Sequence, residues 1–204
     1  MNKIIPTIIA KNQKEMNSLI KEYKPFKTIQ LDIMDGKWVE QKSNWFNFNV
    51  PKTHTYEAHL MVQDPEAWIQ KNYTKVQTII ANIEEVKDPK KLIQFLKSKK
   101  KKVGFALNPE TPITLLQPYL KEIDQVLLLS VHPGKYGAQF IPEVIKKISQ
   151  LRMRYSGNIE IDGHMNPETI KRCKEAGANM FAVGSFLKDS SDKEKTKKIL
   201  EQIN

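Results

Sequence analysis

The feature of this sequence that most limits its fold is a regular alternation of short apolar segments with amphipathic ones. Eight segments rich in Ile, Val and Leu are each followed by a longer stretch, and several of these stretches open with a capping residue and a proline, as in Asp64-Pro65, Asp88-Pro89 and Asn166-Pro167. That pair is a characteristic helix start. Eight strand–helix units predict an α/β fold, a closed (β/α)8 TIM barrel that forms one domain over residues 1–204, with an open doubly wound sheet as the alternative.

The predicted strands are short and evenly spaced along the chain. They cover residues 3–9, 27–34, a third segment ending at Met61, and then 75–83, 103–107, 125–131, 159–162 and 178–183. Asn12 is expected to cap the first helix, and Thr111-Pro112 to open the helix after the fifth strand. The connection over residues 36–51 is long and rich in aromatic residues. The turn after the first strand contains no glycine, which argues against a dinucleotide-binding sheet.

Composition excludes several classes of protein. The chain is 40% hydrophobic, carries a formal net charge of +10 and contains one cysteine. No apolar run reaches the roughly 18 residues of a membrane span, so no membrane partner is expected. Almost all the positive charge is lysine and does not interleave with aromatic residues, which argues against a nucleic-acid partner. The lone Cys173 and an N-terminal segment too short for a secretory signal predict a cytoplasmic, reduced protein.

Three predicted strands end in groups that could perform chemistry. Residues alternate between the faces of a strand, so Gln30, Asp32 and Met34 share one face of the second strand. An unpaired carboxylate on a buried strand face is costly, which makes Asp32 a candidate for chemistry. His59 and Asp162 lie near the ends of two other predicted strands. In a parallel barrel the C-terminal strand ends surround the active site, and we therefore expect these side chains to converge there.

A series of short motifs in a fixed order carries a family resemblance. The motifs are Pro6-Thr7-Ile8, Leu31-Asp32-Ile33-Met34-Asp35-Gly36, His59-Leu60-Met61-Val62, Leu107-Asn108-Pro109-Glu110-Thr111-Pro112, Val131-His132-Pro133-Gly134, Ile161-Asp162-Gly163 and Gly184-Ser185. With these motifs the chain resembles the ribulose-phosphate 3-epimerases over nearly its whole length. The resemblance implies a cytoplasmic enzyme of the pentose phosphate pathway that interconverts D-ribulose 5-phosphate and D-xylulose 5-phosphate, and an assembly of several copies as a homo-oligomer.

The resemblance also implies roles for individual residues. Asp32 and Asp162 would be the catalytic acid–base pair that moves the proton at C3. One divalent metal ion (Zn, Fe, Mn or Co) would be held by Asp32, His59 and Asp162 together with Gln30. The implied substrate contacts are Thr7, Met34, His59 and Met61. The implied phosphate site lies in the loops after the last three strands and comprises Gly134, Lys135, Tyr136, Gly137, Gly163, His164, Gly184 and Ser185.

The chain departs from the family pattern around the ligand. Gln30 replaces a family histidine, and an amide oxygen is a poorer ligand for zinc-like ions than imidazole, so weaker metal binding is expected. Tyr136 and His164 replace glycines of the phosphate loops. Three hypotheses therefore stay open: an epimerase of D-ribulose 5-phosphate, an epimerase of another ketose phosphate such as allulose 6-phosphate, and a catalytically silent barrel that binds a phosphosugar or a protein.

Overall fold

The structure is a closed parallel barrel, which confirms the predicted fold class. The computed structural model describes residues 2–133 and 138–203. The strands are β1 (Lys3–Ile8), β2 (Thr28–Asp35), β3 (Lys42–Ser43), β4 (Thr55–Met61), β5 (Thr78–Asn82), β6 (Lys102–Leu107), β7 (Gln125–Leu129), β8 (Asn158–Asp162) and β9 (Met180–Val183). Eight of them pair in parallel and β1 closes the ring against β2, with Thr7 opposite Gln30. The two-residue β3 pairs antiparallel with the end of β2.

Helices cover most of the outside of the barrel. They are α1 (Gln13–Glu22), α2 (Pro65–Asn72), α3 (Pro89–Ser98), α4 (Val144–Arg152), α5 (Pro167–Glu175), α6 (Ser185–Lys188) and α7 (Lys193–Glu201). The predicted caps are confirmed at α1, where the Asn12 side chain accepts from the Glu15 amide, and at α2 and α3, where Asp64 and Asp88 do the same. Asn166 completes a reciprocal capping box at α5. These caps pair N–H groups that have no partner within the helix.

The outer layer departs from eight complete units in two places. After β6 the predicted helix is only a short 3-10 turn, Ile113–Leu116, and Pro118 interrupts the segment that would have extended it. Between β3 and β4 the described chain forms no helix at all. This connection instead buries Phe48 completely and begins at Asn44, whose φ of 51° is left-handed.

The two faces of the barrel strands differ in chemistry. Ile29, Leu31 and Ile33 of β2 point outward and are 0% exposed, as the alternating pattern predicts. The inward positions of the barrel carry polar groups that are also buried, namely Gln30, Asp32, Glu57, His59, Gln125 and Glu160. Buried polar groups are costly unless they are paired, so their partners define the interior. Across the described ranges, no helix has the length and apolar character needed to cross a bilayer.

Candidate active site

The structure brings Asp32, His59 and Asp162 together at the C-terminal end of the barrel. Asp32 lies opposite His59 in the parallel register of β2 and β4, and Asp162 ends β8. One ligand atom from each of the three side chains lies within 4.8 Å of the other two. Asp162 lies 103 residues after His59 in the sequence and still further from Asp32. Only closure of the barrel therefore brings it next to the other two side chains. Their catalytic roles stay a prediction at this point.

Gln30 joins the two carboxylates. Its Nε2 donates to Asp32 Oδ1 at 2.8 Å and to Asp162 Oδ2 at 2.7 Å. Gln30 is 0% exposed, and its Oε1 is buried without a hydrogen-bond partner. A buried acceptor without a partner costs about 1–3 kcal/mol. The amide nitrogen of Gln30 therefore donates to both carboxylates, while the amide oxygen is left without a hydrogen-bond donor.

The environment of Asp32 favours its protonated form. Burial, followed by repulsion from Asp162, raises the pKa of Asp32 to about 8, although His59 and the Gln30 hydrogen bond act in the opposite direction. Burial also acts to lower the pKa of His59, but the hydrogen bond that the ring donates to Asp162 and the charges of both carboxylates outweigh it and raise that pKa above its usual value. At neutral pH Asp32 therefore retains a proton that it can donate.

Asn82 fixes the orientation of the His59 ring. The Asn82 Oδ1 lies 3.1 Å from Nε2 of His59, and Asp162 Oδ2 lies 3.2 Å from Nδ1. Because an amide oxygen can only accept, Nε2 must carry a hydrogen to bond to it. A ring that is also protonated at Nδ1 donates from that nitrogen to Asp162 Oδ2. A neutral ring would instead leave the lone pair of Nδ1 available to an ion. Partners of this kind set the tautomer of metal-binding histidines.

A cavity of about 160 Å³ opens above the carboxylates. Asp32 and Asp162 both line it, and Thr7, Met34 and Met61 of the predicted substrate contacts line it as well. His59, also predicted to contact substrate, is 0% exposed and is not part of this lining. The geometry therefore suits His59 to orienting Asp162 or holding an ion.

Half of the predicted phosphate site borders the same cavity. Gly163, His164, Gly184 and Ser185 all line it. Gly163 has a φ of 118°, and a Cβ there would come within 2.6 Å of Val131, so this position requires glycine. His164, with a φ of 54°, adopts a backbone conformation that costs a non-glycine residue about 1 kcal/mol. The other four predicted residues, Gly134, Lys135, Tyr136 and Gly137, lie outside the described residues.

The predicted site residues did not include three polar residues that line this cavity, Tyr23, Gln41 and Lys188. Gln41 lies between β2 and β3, where its position depends on the hairpin. Lys188 is the last residue of α6, three positions after Ser185. Helical spacing places residues three apart on one face, so Lys188 could have been proposed from its distance to the Gly184-Ser185 motif.

A second polar layer lies deeper inside the barrel. Glu57 of β4 and Glu160 of β8 are both almost completely buried and hydrogen-bond to each other, which requires a proton on one of them. The Gln125 side chain donates to Glu160. Burial, reinforced by Glu57, raises the pKa of Glu160 well above its usual value.

This layer predicts a specific dependence of stability on pH. Glu160 holds its proton in the folded chain at pH values where the unfolded chain has lost it, so the free energy of unfolding falls as pH rises above about 4.5. One such proton contributes a slope of about 1.4 kcal/mol per pH unit. The free energy of unfolding of the natural chain, measured by urea denaturation, should fall as pH rises above about 4.5. We expect Glu160→Gln to reduce the slope of that fall by roughly this amount.

Glu143→Gln is the matched control, because Glu143 is exposed on the surface, and it should leave the slope unchanged. A Glu160→Gln variant that folds and retains the full slope would show that Glu160 does not hold the proton.

The fold and site together define the class of this protein, a (β/α)8 barrel with two facing carboxylates and a histidine at its mouth. The sequence profile described as the Ribulose-phosphate 3 epimerase family matches residues 3–187. The chain belongs to that family, and with it to the epimerases that act on carbohydrates.

Individual relatives agree over most of the chain. It is 28% identical over 198 residues to the ribulose-phosphate 3-epimerase of Schizosaccharomyces pombe, a match that covers 91% of this chain and 86% of the relative. The enzyme of the same name from Synechocystis sp. is 33% identical over 179 residues, with coverage of 78% and 74%. That of Bacillus subtilis is 29% identical and covers 96% of both chains.

Solved structures support the fold alone. The 3-hexulose-6-phosphate synthase of Salmonella typhimurium aligns with a TM-score of 0.67 at 12% identity and covers 98% of this chain and 97% of that one. A mutant tryptophan synthase alpha-subunit from Pyrococcus furiosus aligns with a TM-score of 0.69 at 16% identity, covering 100% and 99%.

Proposed function

We propose that this chain interconverts D-ribulose 5-phosphate and D-xylulose 5-phosphate by proton transfer at C3 between Asp32 and Asp162. The observation that carries the proposal is the Gln30 amide, which bonds to both carboxylates and so holds them as one unit at the cavity. Family membership supports the same reaction, since its named relatives are ribulose-phosphate 3-epimerases.

Inversion at C3 needs an acid on one side of the carbon and a base on the other. In one direction Asp162 removes the proton and Asp32 returns its own to the opposite face; in the other direction the roles exchange. Burial and then Asp162 raise the pKa of Asp32, which suits it to the role of acid before an ion binds; a bound ion would lower that pKa.

A divalent metal ion fits the donor set. Asp32, His59 and Asp162 offer two oxygens and a nitrogen within 4.8 Å of one another. A 180° rotation of the Gln30 amide would replace Nε2 by Oε1, the oxygen that has no partner, and would supply a fourth donor. When bound, the ion would supply positive charge against the negative charge that develops on the substrate oxygens. Zn, Fe, Mn and Co are all compatible with this mixed set of ligands.

Part of the cavity lining supports a phosphate site. Gly163, Gly184 and Ser185 line it after β8 and β9, where barrels of this kind commonly bind phosphate through backbone N–H groups. Thr7 lies close to Gly184, since a Cβ there would approach Thr7 Oγ1 to 3.0 Å. The predicted contacts of Lys135 and Tyr136 stay part of the proposal.

The His164 side chain supports a second candidate substrate. It lines the cavity and lies 3.2 Å from the Ala138 carbonyl oxygen, at a position where the family pattern has glycine. A ketose phosphate of different length, such as D-allulose 6-phosphate, would place its phosphate differently against this side chain.

We also propose a cytoplasmic location and the homo-oligomer. A rice relative is named as a cytoplasmic isoform, and the single cysteine of this chain, Cys173, is free and buried. We likewise propose that residues 1–204 form a single (β/α)8 domain.

A substrate panel tests the proposed function. The protein, stripped of metal and then resupplied in turn with Zn, Fe, Mn and Co, is incubated with D-ribulose 5-phosphate or D-allulose 6-phosphate and followed by NMR. We expect D-xylulose 5-phosphate to form with at least one metal and faster than any six-carbon product. Faster conversion of D-allulose 6-phosphate would show that this sugar phosphate, and not D-ribulose 5-phosphate, is the preferred substrate. No conversion of either by folded protein would favour the silent barrel.

A further inference from the structure

We propose that a groove on the outside of the barrel is a second binding site, for a small molecule that combines a planar aromatic ring with an anionic group. The groove has a volume of about 550 Å³ and lies beside α2, next to the connection that lacks a helix. Small-molecule sites typically have volumes of about 300–1,000 Å³. Neither Asp32 nor Asp162 is among its lining residues, so it is separate from the candidate active site.

Aromatic side chains form one part of the groove. Trp45, Phe46 and Trp68 line it. Trp45 is 45% exposed, an unusual exposure for the largest apolar side chain, whereas Trp68 is only 5% exposed and is held in α2. A half-exposed indole beside a buried one offers a face on which a planar ring can stack.

Positive charge forms the other part. Lys37, Lys71 and Lys75 line the groove. Lys75 is held in place, with its Nζ 2.9 Å from Asn47 Oδ1 and 4.6 Å from the centre of the Phe48 ring. The ammonium groups of Lys37 and Lys71 have no ion-pair partner within the described ranges.

The two acids that line the groove are engaged elsewhere. Asp35 accepts from the backbone N–H groups of Lys37, Trp38 and Gln63. Asp64 caps α2 and pairs with Lys87 at 3.6 Å. The lysines of the groove are therefore available to bind the anionic group of a ligand. The aromatic side chains are available to stack on the ring of the same ligand.

Amide groups complete the lining and connect it to the barrel. Asn44, Asn47, Gln63 and Asn72 all border the groove. Asn44 is 1% exposed; its Nδ2 donates to the backbone oxygens of Ile8 and Asp32, while its buried Oδ1 has no partner. Amide side chains can both donate and accept, which suits them to the edge of a heteroaromatic ring.

NMR with adenosine monophosphate (AMP) as the probe tests this proposal. The chain contains three tryptophans, so three indole N–H signals can be assigned by single Trp→Phe variants. Trp38 does not line the groove and donates to Glu85 at 3.0 Å. We expect AMP to shift the Trp45 and Trp68 signals but not that of Trp38, and excess D-ribulose 5-phosphate to leave this effect in place. Adenosine alone and inorganic phosphate alone should each bind at least ten-fold more weakly.

Two exposed substitutions locate the site. Trp45→Ala and Lys71→Glu should each raise the dissociation constant for AMP at least ten-fold, measured from the Trp68 signal. Met153→Ala and Lys97→Glu are matched controls, because both residues are exposed and neither lines the groove, and they should change it less than two-fold. Absence of binding, displacement by D-ribulose 5-phosphate, tight binding of phosphate alone, or insensitivity to either groove substitution would each overturn the proposal.

Discussion

We expect Asp32→Asn to lower the rate of epimerisation by about 10³-fold or more, because the variant lacks the proton donor for one face of C3. Asp162→Asn should lower it by a similar factor, because it lacks the group on the other face. Both asparagines nearly preserve side-chain volume and can still hydrogen-bond with Gln30 after an amide rotation. The measurement is the rate of D-xylulose 5-phosphate formation at saturating metal.

Isotope exchange makes this prediction more specific. Each variant retains one carboxylate and should therefore still exchange the C3 proton of one epimer with solvent, although it cannot complete the inversion. Asp32→Asn and Asp162→Asn should retain exchange with opposite epimers. If both variants lost exchange equally with both epimers, or if either retained normal epimerisation, the assignment of Asp32 and Asp162 to opposite faces would be wrong.

We expect Gln30→His to raise the affinity for a divalent metal ion at least ten-fold. Imidazole is a better ligand than an amide oxygen for Zn, Fe and Co, and position 30 lies on the same strand face as Asp32, within hydrogen-bond distance of both carboxylates. Gln30→Leu, which offers no ligand atom, should lower the affinity below that of the natural chain. The measurement is competition for Zn against a chelating dye.

The visible spectrum of bound Co provides an independent readout, since it reports the ligands without requiring activity. An added nitrogen ligand in Gln30→His should change that spectrum. Equal Zn affinity in all three proteins, with unchanged Co spectra, would show that residue 30 takes no part in holding the ion.

The alternation of residues along short segments was enough to predict the barrel and the convergence of Asp32, His59 and Asp162 at its C-terminal end. Alternation along β2 placed Gln30 and Asp32 on the inner face, and the closure of parallel strands brings their ends together whatever the sequence between them. The helix caps at Asp64 and Asp88 were predictable for the same reason, because they depend only on residues three or four positions apart.

The contacts that define the site chemically depend on distances that a sequence does not contain. Gln30 could be identified as a departure from a family histidine, but not as the bridge between Asp32 and Asp162, the second of which lies 132 residues from Gln30 in the chain. The pairing of Glu57 with Glu160 was likewise not predicted, since each glutamate alone resembles a surface residue. The sequence predicted residues 36–51 as a long aromatic connection without a helix, as the structure has it, but not the groove beside Trp45.

Deuterium incorporation at C3 of D-ribulose 5-phosphate in heavy water, followed by NMR with metal-loaded protein, tests the central claim most directly. Proton transfer through Asp32 and Asp162 predicts that newly formed D-xylulose 5-phosphate carries deuterium at C3 and that recovered D-ribulose 5-phosphate gains it as well. Interconversion without deuterium at C3, or no exchange from folded protein loaded with any of the four metals, would contradict the account.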